Sequence, residues 1–344
     1  MKKIFSLATL LLSFYITAEA QTTLNSALPL LQKNYRTEAE TQQVLRLFRS
    51  ASDPELIFAA GASLVKIPPT KAQEPALFNT LLRAQDPLKQ TFCAVIITTM
   101  GTVHEELTPV LEQALSSQDP VLRAYAAAAY TIIHPQDTYV ADLVRLYIFD
   151  RPLASRALNL ATGKTQSPLK YLKQTAKNED AQIRAATATW LSNLYTAQAA
   201  NQLLKMAKKE SSAEVQAAIA RGLAANREHV FSSVVAGLRK NYESAYANTC
   251  ALALGFMTGN AVETLRPALT GKNRHEHINA SRAAAYMAGV LSNPDAFNFS
   301  SDRAFDIHLL KGLIAPLTVL SKTGDKTEKL YASNALTQIE KLME

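Results

Sequence analysis

The stretch DPVLRAYAAAAYTII, residues 119–133, contains the signals that decide the fold. Asp119 can accept hydrogen bonds from the free N–H groups of a first helical turn, and Pro120 suits the first helical position. The apolar, alanine-rich run that follows predicts an amphipathic helix with a face that packs closely. A second, shorter apolar segment, VADLVRLYIF, follows at residues 140–149. This part of the chain therefore predicts one helical hairpin.

The same signals recur along the chain at nearly constant spacing. Asp53-Pro54 and Asp86-Pro87 precede Asp119-Pro120 at steps of 33 residues. Further candidate caps follow at steps close to this, with a longer step before the last two: Asp150, Asp180, Ser212, Glu243, Asn279 and Asp325. Two helices and two turns in about 31–33 residues are typical of a helical-hairpin repeat. Glutamate is a weak cap, so the boundary at Glu243 is expected to lie a residue or two away.

The helical segments carry a more specific pattern of an acidic cap, a branched apolar residue, an arginine and two small residues. The matching positions are Asp119, Val121, Arg123, Ala126 and Ala127, and then Asp180, Ile183, Arg184, Ala185 and Ala186. Over residues 41–291 the chain resembles the short HEAT-like repeats, although Ile57 and Gln90 replace the arginine in the early repeats. The resemblance implies an all-α fold, a right-handed α-solenoid of about nine hairpins. It implies a concave face lined by the second helices, and it says almost nothing about activity.

The ends of the chain differ from the repeats. Lys2 and Lys3, an apolar run and the small residues of Ala18-Glu19-Ala20 predict a signal peptide at residues 1–20, cleaved before Gln21. We therefore expect an exported protein, periplasmic or secreted, with no transmembrane segment. The predicted domains are a HEAT-like solenoid at 21–291 and an irregular C-terminal repeat and cap at 292–344. Phenylalanines at 297, 299 and 305 belong either to this cap or to a binding surface.

Two cysteines in an exported chain would ordinarily suggest a disulfide. Cys93 and Cys250 lie five repeats apart. Because packed helices are about 8–10 Å apart, the two cysteines are expected to be on the order of 40–50 Å apart. A disulfide requires Cα atoms within roughly 7 Å, so both are predicted to be buried free thiols.

Basic charge is concentrated in the second half of the chain. Residues 21–160 hold 12 Lys/Arg and 13 Asp/Glu, whereas residues 161–344 hold 22 and 15. The ends of successive second helices carry a recurring set of cations, here called the basic edge: Lys177, Lys208, Lys209, Arg239, Lys240, Lys272 and Arg274. These cations either complement helix C-termini or form an interaction surface for an anionic partner. Nucleic acid is not expected, because no aromatic side chains alternate with them.

Few residues suggest chemistry. His275-Glu276-His277 is the one dense group of potential metal ligands, and it is assigned to an inter-helix loop without a third and fourth ligand. Trp190, the only tryptophan, lies on an apolar helix face and is interpreted as a core residue rather than a partner anchor. The chain contains no GxSxG, HExxH, CxxC or phosphate-binding glycine loop. We therefore predict no catalytic, cofactor-binding or metal-binding residue.

These observations favour a non-enzymatic exported scaffold or adaptor. The expected partner is a protein, bound through the concave face or the basic edge. One alternative is an envelope factor that binds anionic lipid or glycan through the basic edge. A second is a lyase-like or chaperone-like HEAT protein that handles a small ligand. Neither the partner nor the oligomeric state follows from the residues.

Overall fold

The computed structural model describes residues 18–101, 103–163, 168–293 and 302–343, with side chains from Leu24 onward. Residues 1–17 of the predicted signal peptide lie outside these ranges, as do Phe297 and Phe299. All described elements are helical, and the chain divides into two compact units, Met1–Pro168 and Leu169–Glu344. The predicted all-α fold is confirmed for the described residues.

Unit 1 is a stack of helical hairpins. Its helices are α1 Ala18–Leu31, α2 Glu38–Ser50, α3 Pro54–Lys66, α4 Glu74–Arg83, α5 Pro87–Thr99, α6 Thr108–Leu115, α7 Pro120–Ile133, α8 Val140–Leu146 and α9 Arg151–Thr162. The first helices α3, α5, α7 and α9 pack side by side in chain order, and the second helices α4, α6 and α8 pack against them. This is the layering of an α-solenoid, in which each hairpin buries its apolar face on its neighbours.

Unit 2 repeats the arrangement. Its helices are α10 Leu169–Thr175, α11 Ala181–Ser192, α12 Ala197–Ala207, α13 Ala213–Ala225, α14 Arg227–Gly237, α15 Ala245–Met257, α16 Gly259–Thr270, α17 Arg274–Ser292, α18 Arg303–Lys311, α19 Ile314–Thr323 and α20 Lys326–Met343. Here α11, α13, α15, α17 and α20 form the layer of first helices. The helices after residue 292 pack on α16 and α17, so they belong to the same unit. The handedness of the stack and the count of about nine hairpins stay predictions.

The helix starts follow the capping chemistry of the sequence. Asp119 Oδ1 accepts hydrogen bonds from the N–H groups of Val121 at 2.8 Å and Leu122 at 3.2 Å. Four other aspartates cap their helices in the same way: Asp53, Asp86, Asp150 and Asp180. These side chains satisfy donors that an isolated helix would leave open. The predicted boundaries are therefore confirmed through Asp180.

Two boundaries differ from the prediction. The cap near Glu243 is Ser244, whose hydroxyl accepts from the Ala247 N–H at 3.2 Å. The cap assigned to Asn279 is wrong, because α17 begins at Arg274 and Asn273 caps it. Asn279 is fully buried inside that helix instead. The charged segment between the two asparagines resembles a loop in composition, which hid the first helical turn.

The core combines large apolar side chains with small residues that let the helices approach. In α7, Ala124 and Ala126–Ala129 are fully buried. Cys93 and Cys250 are also fully buried, and both are free thiols, as predicted. Burial raises the pKa of each thiol to about 12. Trp190 is 4% exposed, which confirms its interpretation as a core residue.

One stretch of the described residues, Arg303–Thr323, is long and apolar enough to cross a membrane by length and composition. The stretch comprises α18 and α19, which are separated by Gly312 and Leu313. Both helices pack against neighbours in unit 2, and the most apolar 18-residue window is 28% buried. The side chain of Asp306 is itself buried. This is weak evidence for a membrane span, because core helices of soluble proteins meet the same criterion.

Candidate interaction surface

Five turns of unit 2 precede its first helices. They are residues 176–180, 208–212, 238–244, 271–273 and 324–325, here called the turn edge. Side chains of the first helices bind the backbone or the side chains of neighbouring turns. These contacts place the turns in succession along one side of unit 2, as the repeat geometry predicts.

The first link joins the turns at 176–180 and 208–212. Arg184 donates from Nε and Nη2 to the two carboxylate oxygens of Glu210, at 2.8 and 2.9 Å. Its Nη1 donates to the carbonyls of Asn178 and Glu179 at 2.9 and 2.8 Å. One guanidinium therefore connects two turns through a bidentate ion pair, which fixes geometry as well as charge. Arg184 thus has a structural role.

Burial and hydrogen bonding have opposite effects on the pKa of Glu210. The residue is 6% exposed, and burial alone acts to raise its pKa. The hydrogen bonds from Arg184 and from the Ser212 N–H outweigh burial, so the pKa lies below its ordinary value. Glu210 is therefore held in the charged form that matches the guanidinium.

Neutral polar side chains continue the connection along α13, α15 and α17. Gln216 Nε2 donates to the Glu210 carbonyl at 2.9 Å, and its Oε1 accepts from Asn248 Nδ2 at 3.0 Å. The hydroxyl of Tyr286 then donates to Asn248 Oδ1 at 2.9 Å. Gln216 and Asn248 occupy the fourth position after their caps, as Arg184 does after Asp180. A single repeat position therefore forms a polar chain across successive first helices.

The turn at 238–244 is held by α17. Asn279 Nδ2 donates to the carbonyl of Leu238 at 2.9 Å and to that of Lys240 at 3.1 Å. Arg282 donates to the Tyr242 carbonyl and, at 2.7 Å, to the hydroxyl of Tyr331. The residue that sequence analysis took for a cap is thus the anchor of a turn. Its Nδ2 supplies a donor to carbonyls that end helix α14.

The two arginines of the basic edge are not available as free cations. Arg239 Nε forms an ion pair with Glu276 Oε1 at 2.7 Å. Arg274 forms an ion pair with Asp325, and its guanidinium lies 5.0 Å from the ring centroid of Tyr242. Hydrogen bonding to Asp325 raises the pKa of Arg274, and the same contact lowers the pKa of Asp325. Both arginines are therefore paired with carboxylates, although the Arg239 side chain is 73% exposed.

The lysines of the basic edge have a different environment. All five are exposed, and none makes an ion pair with a carboxylate among the residues that the structure describes: Lys177, Lys208, Lys209, Lys240 and Lys272. Lys208 Nζ lies 5.9 Å from the ring centroid of Tyr246. Two exposed carboxylates, Glu179 and Glu243, lie on the same turns. The edge therefore presents lysine ammonium groups in clear excess over carboxylates.

With the corrected caps, the lysines of the basic edge do not all lie at the same number of residues before their caps. Lys177 and Lys209 lie three residues before their caps, but Lys240 lies four residues before Ser244 and Lys272 lies directly before Asn273. Sequence analysis also missed Lys322, which is exposed and lies three residues before Asp325. The three-residue spacing between Lys322 and Asp325 is the sequence pattern that would have identified this lysine. We include Lys322 in the basic edge from here on.

His275 and His277 lie in the first turn of α17, so their assignment to a loop is wrong. His277 Nδ1 lies 2.7 Å from Glu328 Oε1, and its Nε2 lies 3.0 Å from the Gly271 carbonyl. Both ring nitrogens therefore have protein partners. In the part of the chain that the structure describes, no group of three or more His, Cys, Asp or Glu residues is placed to hold a metal ion.

Two open depressions of about 560 and 550 Å³ lie on the described part of unit 1. The first is lined by α1 and α2, and the second by α2, α4 and the start of α5. The second contains four cationic residues and no acidic residue: Arg46, Arg49, Arg83 and Lys89. Sequence analysis did not find this group, because residues 21–160 carry a small net negative charge as a whole.

Comparison with family models and with curated proteins finds no relative of this chain. No family model matches the chain, and no curated protein matches it significantly. The resemblance to short HEAT-like repeats therefore rests on the residues of the pattern alone.

Proposed function

We propose that this protein is a non-enzymatic binding scaffold, exported from the cell, that recognises an acidic protein surface through the basic edge of unit 2. The observation that supports the proposal most is the contrast between the arginines and the lysines of that edge. Arg239 and Arg274 are neutralised by carboxylates, whereas the exposed lysines have none within ion-pairing distance among the described residues.

Cations that only complement helix C-termini do not require a fixed arrangement. In unit 2, the turns that carry the lysines are linked by buried or half-buried side chains such as Arg184, Gln216 and Asn279. Such links reduce the motion of the backbone that carries the lysines. A surface ordered in advance loses less entropy on binding, and this favours recognition of a partner with matching negative charge.

The resemblance to short HEAT-like repeats supports a binding role, with the concave face as a further candidate surface. Anionic lipid or glycan is the second candidate ligand, because exposed lysines without carboxylate partners attract any extended polyanion. A protein partner is preferred because Glu179 and Glu243 interrupt the positive charge. A mixed pattern of charges is better suited to specific pairing with another protein than to a uniform anionic surface.

The test is a capture experiment with three forms of the chain. The first form is unchanged, and the second reverses four lysines of the basic edge to glutamate: Lys177, Lys209, Lys240 and Lys272. The third is a matched control that reverses four exposed lysines away from the turn edge: Lys170, Lys205, Lys311 and Lys341. Each set changes the net charge by −8, so the full chain goes from +7 to −1 in both variants.

The proposal expects one acidic protein to be captured from the source cells by the unchanged and control forms and to be lost by the edge variant. Capture by all three forms would move the site away from the basic edge, to the concave face or elsewhere. Vesicles with anionic headgroups and an immobilised sulfated glycan form the parallel arms. Edge-dependent binding to either of these, with no captured protein, would favour the second candidate.

A further inference from the structure

We propose that the second depression of unit 1 is a binding site for a small ligand with two or more neighbouring oxyanion groups, of which a diphosphate is the simplest. This proposal is independent of the basic edge, since it rests on residues of α2, α4 and α5. Arg46 and Arg49 come from α2, Arg83 from the last turn of α4 and Lys89 from the first turn of α5.

The concentration of charge in this depression is unusual for its unit. Residues 21–160 contain 12 cationic side chains, and four of them line this one depression. No acidic residue is among the lining residues, although the same part of the chain has 13 acidic residues. Like charges brought together without counter-charges repel each other, so an anion in this place would relieve an unfavourable arrangement.

The favourable effect of positive charge at the C-terminal end of α2 does not explain why four cations line the depression. Lys89 Nζ already donates to the carbonyls of Arg49, at 3.2 Å, and Ala51 near the C-terminal end of that helix. Lys89 is therefore a helix cap as well as a lining residue. Arg49 and Arg83 also lie in the last turns of α2 and α4, where a cation complements the helix dipole, but Arg46 lies before the last turn of α2 and has no such role.

The arginines are placed to bind an external anion. Arg49 Nε donates to Thr80 Oγ1 at 3.2 Å, which holds its side chain across the gap between α2 and α4. Arg46 and Arg83 are exposed and have no ion pair among the described residues. Guanidinium groups bind phosphate and carboxylate oxygens through two parallel hydrogen bonds. Several such groups around an open depression suit a ligand with adjacent anionic groups better than a single ion.

Neutral donors complete the lining. Ser50, Asn79 and Thr80 supply hydroxyl and amide groups on the same surface. The Asn79 amide can donate hydrogen bonds to an oxyanion without adding charge. The hydroxyls of Ser50 and Thr80 donate instead to the carbonyls of Arg46 and Ala76, at 3.0 and 2.8 Å. The depression, at about 550 Å³, has room for a ligand larger than one phosphate. The ligand chemistry that fits is therefore multivalent, oxygen-rich and anionic.

The experiment measures binding of inorganic pyrophosphate to the full chain by calorimetry, at fixed ionic strength. The test variant is Arg46→Gln with Arg83→Gln. Its matched control is Lys71→Gln with Arg151→Gln, which removes the same charge from exposed positions of unit 1. A further arm uses the four-lysine reversal in unit 2, which separates this site from the basic edge. Vesicles containing phosphatidic acid show whether the phosphate of a lipid headgroup is also accepted.

The proposal expects one pyrophosphate per chain, with affinity at least tenfold lower in the test variant and unchanged in the control and unit 2 variants. Without pyrophosphate, the test variant should unfold at the same temperature as the unchanged chain or higher, because a repulsive contact has been removed. Equal loss of binding in test and control variants would overturn the proposal, as would loss in the unit 2 variant alone. Stabilisation of the unchanged chain by pyrophosphate no greater than that by sodium chloride would also overturn it.

Discussion

Units 1 and 2 use the same repeat position in different ways. In helices α11, α13 and α15 of unit 2, the fourth residue after the cap is Arg184, Gln216 and Asn248, and hydrogen bonds link these side chains by way of Glu210. In unit 1, the same position holds Ile57, Gln90, Arg123 or Ala154. Ile57 and Ala154 are buried apolar residues, so the polar chain is interrupted there.

The difference extends to the cations. Unit 2 has a linked turn edge with exposed lysines distributed along it, whereas in unit 1 four cations line one depression between α2 and α4. The comparison teaches that one helical repeat can present charge either as an extended array or as a local site.

The largest expected effect is a difference in stability between variants of Arg184 and Arg123, which occupy the same repeat position in units 2 and 1. Replacing Arg184 with alanine leaves Glu210 as a buried carboxylate without its ion pair, which should destabilise unit 2 by about 3 kcal/mol. Replacing Arg123 with alanine should cost about 1 kcal/mol, because Arg145 also pairs with Asp142. The measurement is urea unfolding followed by the fluorescence of Trp190, which lies in α11 of unit 2, and by circular dichroism of the whole chain.

In that experiment the Arg184 variant should shift the fluorescence transition to lower urea. The Arg123 variant should shift circular dichroism with little change in fluorescence. Equal shifts for the two variants would contradict the idea that the units use this position differently.

A second prediction tests how closely the hairpins approach. A Cβ at Gly237 would lie 2.3 Å from Cys250 Sγ, and one at Gly61 would lie 2.5 Å from the Phe92 ring. Alanine at either position should destabilise its own unit by about 2 kcal/mol through overpacking. Adding Cys250→Ala to Gly237→Ala should recover part of the loss, since the closest atom is removed. If the double variant is no more stable than the sum of the two single-variant losses predicts, the contact with Cys250 is not the cause of the destabilisation.

Two buried carboxyl groups, one in each unit, should respond to acid in opposite senses. At Glu210 the folded-state pKa is lowered, so its contribution to stability is present above the ordinary glutamate pKa and is lost as the pH falls. At Asp150 in unit 1, burial raises the pKa, although the Leu153 N–H and Lys66 oppose it. Protonation of Asp150 on acidification therefore relieves a cost of burying its charge.

The check is the free energy of unfolding of Glu210→Gln and Asp150→Asn across the acidic range. Glu210→Gln should flatten the acid-dependent loss of stability relative to the unchanged chain. Asp150→Asn, which retains a good helix cap, should make that loss steeper by removing a group that opposes it. Parallel pH curves for all three forms would show that neither carboxyl group behaves as described.

The smallest expected effect concerns the lysines themselves. Lys209→Glu or Lys322→Glu should change the free energy of unfolding by no more than about 0.5 kcal/mol, because both side chains are exposed and unpaired among the described residues. Thermal unfolding of each variant checks this directly. A loss above 1.4 kcal/mol, a tenfold change in the folding equilibrium, would mean that the lysines are needed for the fold rather than for a partner.

Local capping chemistry made much of the fold predictable from the sequence. Asp-Pro signals and alanine-rich helices identified the hairpins, and the aspartate caps through Asp180 are confirmed. The prediction failed at Asn279, where a buried amide bonds two carbonyls of another hairpin. Such a contact depends on residues about 40 positions apart, and no local pattern encodes it.

The candidate surfaces were predictable only in part. The recurring lysines of unit 2 follow the repeat period, so their common edge could be inferred from spacing. The pairing of Arg239 and Arg274 with Glu276 and Asp325 could not, because these carboxylates lie 37 and 51 residues further along the chain. The depression of unit 1 was hidden for a similar reason, since its four cations are distributed over three helices and only the packing of those helices brings them together.

The measurement that tests the account most directly is the affinity of one captured acidic partner for the unchanged chain, the four-lysine edge variant and its matched control. The account predicts that the unchanged and control forms bind alike, with affinity that falls as salt is added. It predicts at least a hundredfold weaker binding by the edge variant. Binding of the edge variant as tight as that of the control would contradict the claim that the basic edge of unit 2 is the interaction surface.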